Sequence, residues 1–294
     1  MHLPVATPFA DDEGLDRSAF ETNLAEWLSH PIAGIVVAGS TGEAPLLRHA
    51  ELVELVELAG PLTEGRTLTV GTGGEATRDV VAACADVAER GADAVLVRAP
   101  YYYRGAMTPA VLREHYLRVA DASPVPVLLY HIPKFVSVEL VPDLVGRLAE
   151  HPNIVGIKDS SGDLRNLGAL VEACDGKASV LVGSGALLYA ALETGAVGGI
   201  LGVALIATHS ACELHAAWEA GDGVRAGRLQ ERIGPLHKTI VAGCGVPGVK
   251  AALDRLGLVG GPPRRPLPPV DDEVAATVEA ALRAAGLGVS SRSG

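Results

Sequence analysis

Ile154-Val155-Gly156-Ile157-Lys158-Asp159-Ser160 is an apolar run closed by a cation, an acid and a hydroxyl. A short continuous run of this kind reads as a strand buried on both faces, as in a parallel sheet covered by helices. Seven more such runs lie along the chain: Leu3–Thr7, Ile32–Ala38, Thr67–Gly71, Ala92–Val97, Val125–Tyr130, Ser179–Val182 and Gly198–Val203. Segments with helical spacing separate them, at 51–59, 77–90, 108–121, 140–150, 164–174 and 187–194. Thr108-Pro109 is a strong start signal, an N-cap followed by Pro at the first helical position. Strand and helix alternate about every 30 residues, the period of a βαβ unit. Eight such units close a (β/α)8 TIM barrel. An open doubly wound sheet is the competing architecture. It would carry a Gly-rich turn after the first strand, where this chain has Thr7-Pro8-Phe9.

Beyond about residue 205 the strand pattern stops. Segments 207–220, 223–242, 246–256 and 271–285 read as helices, with the loop Gly260-Gly261-Pro262-Pro263 before the last. The expected organisation is a barrel over 1–220, carrying the active site, and a helical extension over 221–294 packed on it. Ser290–Gly294 is expected to fray.

The 294 residues are 48% apolar and 20% charged, which provides a large core and rules out wholesale disorder. Aromatics make up only 4%, so Ala, Val, Leu and Ile must build that core. Net charge is −11 with no basic stripe, which argues against nucleic acid and anionic membranes as partners. Cys84, Cys174, Cys212 and Cys244 form no CxxC pair, and the nine histidines show no metal-ligand spacing. No metal and no cofactor are expected. Free thiols and the lack of a signal-peptide pattern at the start suit the cytoplasm. No apolar stretch is long enough to span a bilayer.

In a barrel of this type, chemistry sits at the C-terminal ends of the strands. Lys158 ends the sixth strand and is one of five lysines against nineteen arginines. Burial there disfavours the ammonium and favours the free amine that attacks a ketone to form a Schiff base. Tyr130 ends the preceding strand, where a phenol beside the lysine can move protons. Gly39-Ser40-Thr41-Gly42 follows the second strand, with two hydroxyls and several backbone N–H groups that suit a carboxylate. Glu43, next in line, reads as a structural helix-capping group. Tyr101-Tyr102-Tyr103 holds half of the six tyrosines on one loop and reads as a subunit interface or site rim.

Gly39–Glu43 (GSTGE), Tyr130-His131-Ile132-Pro133 and Ile157-Lys158-Asp159-Ser160, in this order and at these strand ends, resemble the dihydrodipicolinate synthase and N-acetylneuraminate lyase superfamily of pyruvate-dependent class I aldolases. The resemblance runs from Pro4 to about Leu267. The segments 151–160, Tyr102-Tyr103-Arg104-Gly105, Val246-Pro247-Gly248-Val249-Lys250 and Gly260-Gly261-Pro262 are similar to those of 4-hydroxy-2-oxoglutarate aldolases in particular. The resemblance implies a Schiff-base lysine at Lys158 and a proton-relay phenol at Tyr130. Ser40 and Thr41 would hold the keto-acid carboxylate, with Thr41 opening the proton path. Tyr102 would reach in from a neighbouring subunit of a homo-oligomer, a dimer of dimers. Gly183, Ser184 and Leu201 would line the pyruvate pocket.

One position departs from the pattern. In dihydrodipicolinate synthases an Arg two residues past the Tyr-x-x-Pro proline binds the carboxylate of the second substrate. Here that place is Phe135, which suggests a less anionic, more apolar aldehyde. The main expectation is therefore a lyase that joins pyruvate to an aldehyde or cleaves a 4-hydroxy-2-keto acid. The alternatives are a dihydrodipicolinate synthase, a keto-sugar-acid dehydratase on the same imine, and a keto-acid-binding barrel without turnover.

Overall fold

The computed structural model describes residues 1–63 and 65–288. Eight parallel strands follow one another in chain order: β1 (His2–Pro4), β2 (Gly34–Val37), β3 (Thr67–Gly71), β4 (Ala94–Arg98), β5 (Val127–His131), β6 (Ile154–Asp159), β7 (Ser179–Val182) and β8 (Gly198–Gly199). The ring is closed between its ends by a parallel bridge from His2 to Ile200 and by the Leu201 N–H, which donates to the His2 carbonyl at 3.3 Å. The fold is thus a (β/α)8 barrel with C-terminal helices. Every residue of β2 is buried, as the unbroken apolar runs require. The eighth strand is shorter than its apolar run. After Gly199 the chain pairs only at Ile200 and then turns through a 3-10 segment, Gly202–Leu205.

The helices between strands are α1 (Arg17–Leu28), α2 (His49–Ala59), α3 (Thr77–Glu89), α4 (Pro109–Ala122), α5 (Pro133–Val136), α6 (Pro142–Leu148), α7 (Leu164–Cys174) and α8 (Leu188–Glu193). Thr108 caps α4 as its sequence signals. The sequence reading did not include α1. Its marks are there: Asp16 caps it by accepting from the Ala19 N–H at 3.0 Å, and Phe20, Leu24 and Trp27 share its buried face. α1 also ties the two ends of the chain together. The Asn23 side chain donates to the Val259 carbonyl at 2.7 Å and accepts from the Val259 N–H at 3.0 Å.

After β8 comes α9 (Thr208–Glu219), the helix of the eighth βα unit, followed by α10 (Gly223–Leu236), α11 (Gly245–Arg255) and α12 (Asp272–Ala284), the last capped by Asp271. The expected single helix 223–242 is two elements. α10 contains Pro235 near its end, and the chain then widens into a π-helix over His237–Cys244. Among the described residues no helix is long and apolar enough to cross a membrane. The expected fraying of 290–294 lies outside the described residues.

Candidate active site

Strands β5 and β6 pair so that Tyr130 stands opposite Lys158 and His131 opposite Asp159. Side chains alternate along a strand, so the first pair shares one face of the sheet and the second pair the other. Tyr130 and Lys158 line a cavity of about 390 Å³ at the C-terminal ends of the strands. Lys158 is only 4% exposed, and its Nζ lies 4.4 Å from the centroid of the Tyr130 ring. His131 Nδ1 and Asp159 Oδ1 are 2.8 Å apart and buried. Asp159 also accepts from the Ser161 hydroxyl at 2.8 Å and from the Ser161 N–H at 3.2 Å. This network anchors the end of β6 beside the lysine.

The Tyr130 hydroxyl lies 3.3 Å from Ser40 Oγ. The hydroxyl that meets the phenol is thus that of Ser40 and not that of its neighbour Thr41, from which the proton path is expected to start. A loop that carries two adjacent hydroxyls points them in different directions, and the sequence does not say which meets the phenol. Thr41 lines the same cavity as Lys158, near Gly202. Gly183 and Ser184 line it too. The Gly183 N–H donates to the Asp159 carbonyl at 2.7 Å, and a Cβ there would sit 1.9 Å from Ser160 Oγ, so only glycine fits. At the end of β8 the wall is Ile200 and Gly202, while Leu201 between them is buried in the core. Phe135, on α5, is 59% exposed at the cavity mouth beside Lys134.

The π-helix supplies cavity residues that no sequence motif marks: His237, Lys238, Val241 and Ala242. Lys134 Nζ donates to the Ala242 carbonyl at 3.1 Å, which joins α5 to this segment across the mouth. Three of the five lysines, Lys134, Lys158 and Lys238, thus face one cavity. Lys158 is the buried one of the three.

Glu43 is placed by a different partner than a helix end. It adopts a left-handed backbone, φ 59°, and its carboxylate turns inward to meet Lys250 Nζ at 2.6 Å. Lys250 also donates to the Pro262 carbonyl at 2.8 Å and lies over the Phe9 ring. Burial lowers the Lys250 pKa, and the Glu43 charge opposes that shift. The second Glu43 oxygen accepts the Arg264 N–H at 2.9 Å. The Arg264 guanidinium makes two bonds of 2.7 Å to Glu51, whose pKa it lowers. The Gly39–Glu43 turn after β2 is therefore clamped by residues from the end of the chain.

The three tyrosines lie on the loop after β4. Tyr102 is 75% exposed in the single chain, and its ring meets that of Tyr103 edge-on at 5.0 Å. Glu75 holds this loop by accepting the N–H groups of Tyr101 and Tyr102, each at 2.9 Å. Cys84, Cys174 and Cys212 are buried free thiols, and Cys244 is half-buried.

Comparison with known proteins agrees with this geometry. The model of the dihydrodipicolinate synthetase family matches residues 1–285. The chain is 36% identical over 270 residues to the 4-hydroxy-tetrahydrodipicolinate synthase of Methanothrix thermoacetophila, covering 92% of this chain and 90% of that one. It is 36% identical over 286 residues to the synthase of the same name from Mesorhizobium japonicum, covering 96% and 97%. The crystal structure of the chloride-inhibited dihydrodipicolinate synthase from Acinetobacter baumannii, complexed with pyruvate, superposes with a TM-score of 0.93 at 32% identity, covering 97% and 98%. The chain belongs to the dihydrodipicolinate synthetase family.

Proposed function

We propose that this lyase of the class I aldolase type forms an imine between Lys158 and pyruvate and adds the derived enamine to aspartate semialdehyde, as a 4-hydroxy-tetrahydrodipicolinate synthase does. The observation that carries the imine is a buried lysine amine beside a phenol that is itself hydrogen-bonded to Ser40. The names of the relatives favour the synthase over the 4-hydroxy-2-oxoglutarate aldolase likeness seen in the sequence.

The Lys158 amine attacks the keto carbon, and the carbinolamine loses water as Tyr130 delivers a proton to the departing oxygen. The iminium draws electrons from the adjacent methyl carbon, whose lost proton leaves an enamine. That carbon bonds to the aldehyde carbon, and the carbonyl electron pair moves to oxygen. The new oxygen takes its proton through Tyr130, and the amino group of the semialdehyde then attacks the imine carbon and displaces the Lys158 amine, which closes the ring; with an aldehyde that carries no amine, water releases the product instead. Ser40 and Thr41 hold the pyruvate carboxylate. In reverse the same steps cleave a 4-hydroxy-2-keto acid.

That reverse reaction, on 4-hydroxy-2-oxoglutarate, is the second reading. The likeness of segments 151–160 and 246–250 to 4-hydroxy-2-oxoglutarate aldolases favours it, while Phe135 does not separate the two readings, because the glyoxylate released carries a carboxylate just as aspartate semialdehyde does. We also infer a homo-oligomer in which the exposed Tyr102 of one subunit enters the site of another.

Pyruvate and borohydride test the imine. One reduced pyruvate per chain, mapped to Lys158, is expected. Attachment at Lys134 or Lys238, which face the same cavity, would overturn the assignment. Product analysis with pyruvate plus aspartate semialdehyde, and separately with 4-hydroxy-2-oxoglutarate, decides between the two readings.

A further inference from the structure

We propose that His237 fixes the Ser184 hydroxyl as a hydrogen-bond donor into the cavity, and that this donor binds the carbonyl oxygen of the aldehyde substrate. The inference rests on the imine chemistry proposed for Lys158.

Gly185 fixes the tautomer of the imidazole. Its N–H donates to His237 Nδ1 at 3.2 Å. A backbone N–H can only donate, so Nδ1 carries no proton, and the neutral ring bears its hydrogen on Nε2. That Nε2–H points at Ser184 Oγ, 3.2 Å away. The serine oxygen is therefore the acceptor in this pair, and its own hydrogen must go elsewhere. Among the described residues no other side-chain partner is recorded for it, and Ser184 lines the cavity shared with Lys158. The Ser184 O–H is thus left to a bound molecule. Burial, with the Lys134 charge adding to it, pushes the His237 pKa down to about 4, which keeps the ring neutral at pH 7.

The surrounding contacts hold this geometry. The Gly185 carbonyl accepts from Gln230 Nε2 at 2.9 Å, and Gln230 Oε1 accepts the Tyr189 N–H at 2.9 Å. A Cβ at Gly185 would lie 2.3 Å from Val203 Cγ1, so the turn can approach the ring only as glycine. α10 and the π-helix together grip both peptide groups of Gly185 and aim one imidazole.

The placement selects the oxygen. The carboxylate turn follows β2, four strands around the ring from β6. Ser184 follows β7, next to β6, and the Gly183 N–H bonds to the Asp159 carbonyl, so Ser184 stands just above the lysine on the side of the mouth. A pyruvate held at one end by Ser40 and Thr41 and at the other by Lys158 leaves Ser184 facing the incoming aldehyde. Its carbonyl oxygen gains negative charge as the carbon–carbon bond forms, and a fixed donor aimed at such an oxygen stabilises the transition state. Ser184 would act as a catalytic residue and His237 as the positioning residue behind it.

Asparagine keeps an acceptor at the place of Nδ1 but has nothing at Nε2. Glutamine keeps a donor at the place of Nε2. Ser184→Ala and His237→Asn should each lower kcat/KM for the aldehyde by about 10- to 100-fold. The KM for pyruvate and the rate of borohydride trapping at Lys158 should stay within about twofold, which also verifies the fold of each variant. His237→Gln should recover most of the loss, and the Ser184→Ala/His237→Asn double variant should be no worse than Ser184→Ala. The probes are aspartate semialdehyde and glyoxylate, each with pyruvate. Unchanged aldehyde kinetics in Ser184→Ala with intact trapping would overturn this inference alone. Equal losses for pyruvate and aldehyde, additive losses in the double variant, or a glutamine no better than asparagine would do the same. Failure to trap Lys158 in the unaltered protein would remove the imine reading and this one with it.

Discussion

Replacing Lys250 with methionine isolates the clamp behind the carboxylate turn. Lys250 is 1% exposed and Glu43 2%, with 2.6 Å between Nζ and Oε1. At an effective dielectric of about 20, two unit charges at that distance attract by roughly 6 kcal/mol before desolvation is counted. Methionine keeps the aliphatic stem and the contact with the Phe9 ring. It removes the charge and the bond to the Pro262 carbonyl. Glu43 then retains only the Arg264 N–H as a partner for a buried carboxylate. Breaking one side of such a pair costs about 3–5 kcal/mol. With a urea m-value of about 3 kcal/mol/M, the unfolding midpoint should fall by about 1–1.7 M. The Glu43→Gln/Lys250→Met double variant leaves no unpaired charge, and its midpoint should return more than halfway. A single variant within about 0.3 M of the parent protein, or a double variant less stable than the single, would refute the claim that the ion pair holds this turn.

Tyr130→Phe should lower kcat by about 10²- to 10⁴-fold with pyruvate binding little changed, measured by steady-state kinetics and by direct titration. Phe135→Arg should lower the KM for aspartate semialdehyde by supplying a bidentate cation; an unchanged KM would place the aldehyde carboxylate elsewhere. His2, His115 and His237 each have a pKa lowered to about 4, chiefly by burial. The unfolded chain then binds more protons between about pH 6.5 and pH 4, so stability rises with pH across that window and is lost on acidification. Urea midpoints at pH 5 and pH 7 should show this, and His115→Gln should shrink the difference by roughly a third. Tyr102→Phe should reduce turnover more than pyruvate affinity, and light scattering should report an oligomer; a fully active monomer would exclude a Tyr102 shared between subunits.

The barrel was legible because burial on both faces writes each strand as an unbroken apolar run, and the alternation with helices has a fixed period. Lys158 and Tyr130 were legible for a related reason: they are polar residues at the ends of such runs, where barrel chemistry sits, although His131 and Asp159 at the same ends face the other way. What escaped depends on distant parts of the chain. Phe20, Leu24 and Trp27 carry the spacing of α1, but the contact that fixes the helix, Asn23 with Val259, joins opposite ends of the chain. Ser40 and Thr41 are adjacent hydroxyls, and only the position of β5 shows which one meets Tyr130. Lys250 gave no sign of its role, since Glu43 lies far away in sequence. His237 sits in what reads as continuous helix, and it faces the site only because the chain widens into a π-helix after Pro235.

The clamp between the two ends of the chain has a consequence for how the molecule comes into being. A ribosome delivers the residues in order, and Ser40, Tyr130 and Lys158 all emerge well before Lys250 and Arg264. The bond from the Arg264 N–H to Glu43 spans 221 positions, and that from Asn23 to Val259 spans 236. Contacts so remote in sequence form late and slowly. Until these residues have emerged, Glu43 at the end of the turn after β2 has no counter-ion to meet. The turn that carries Ser40 and Thr41 is thereby left without its clamp until nearly the whole chain has been made.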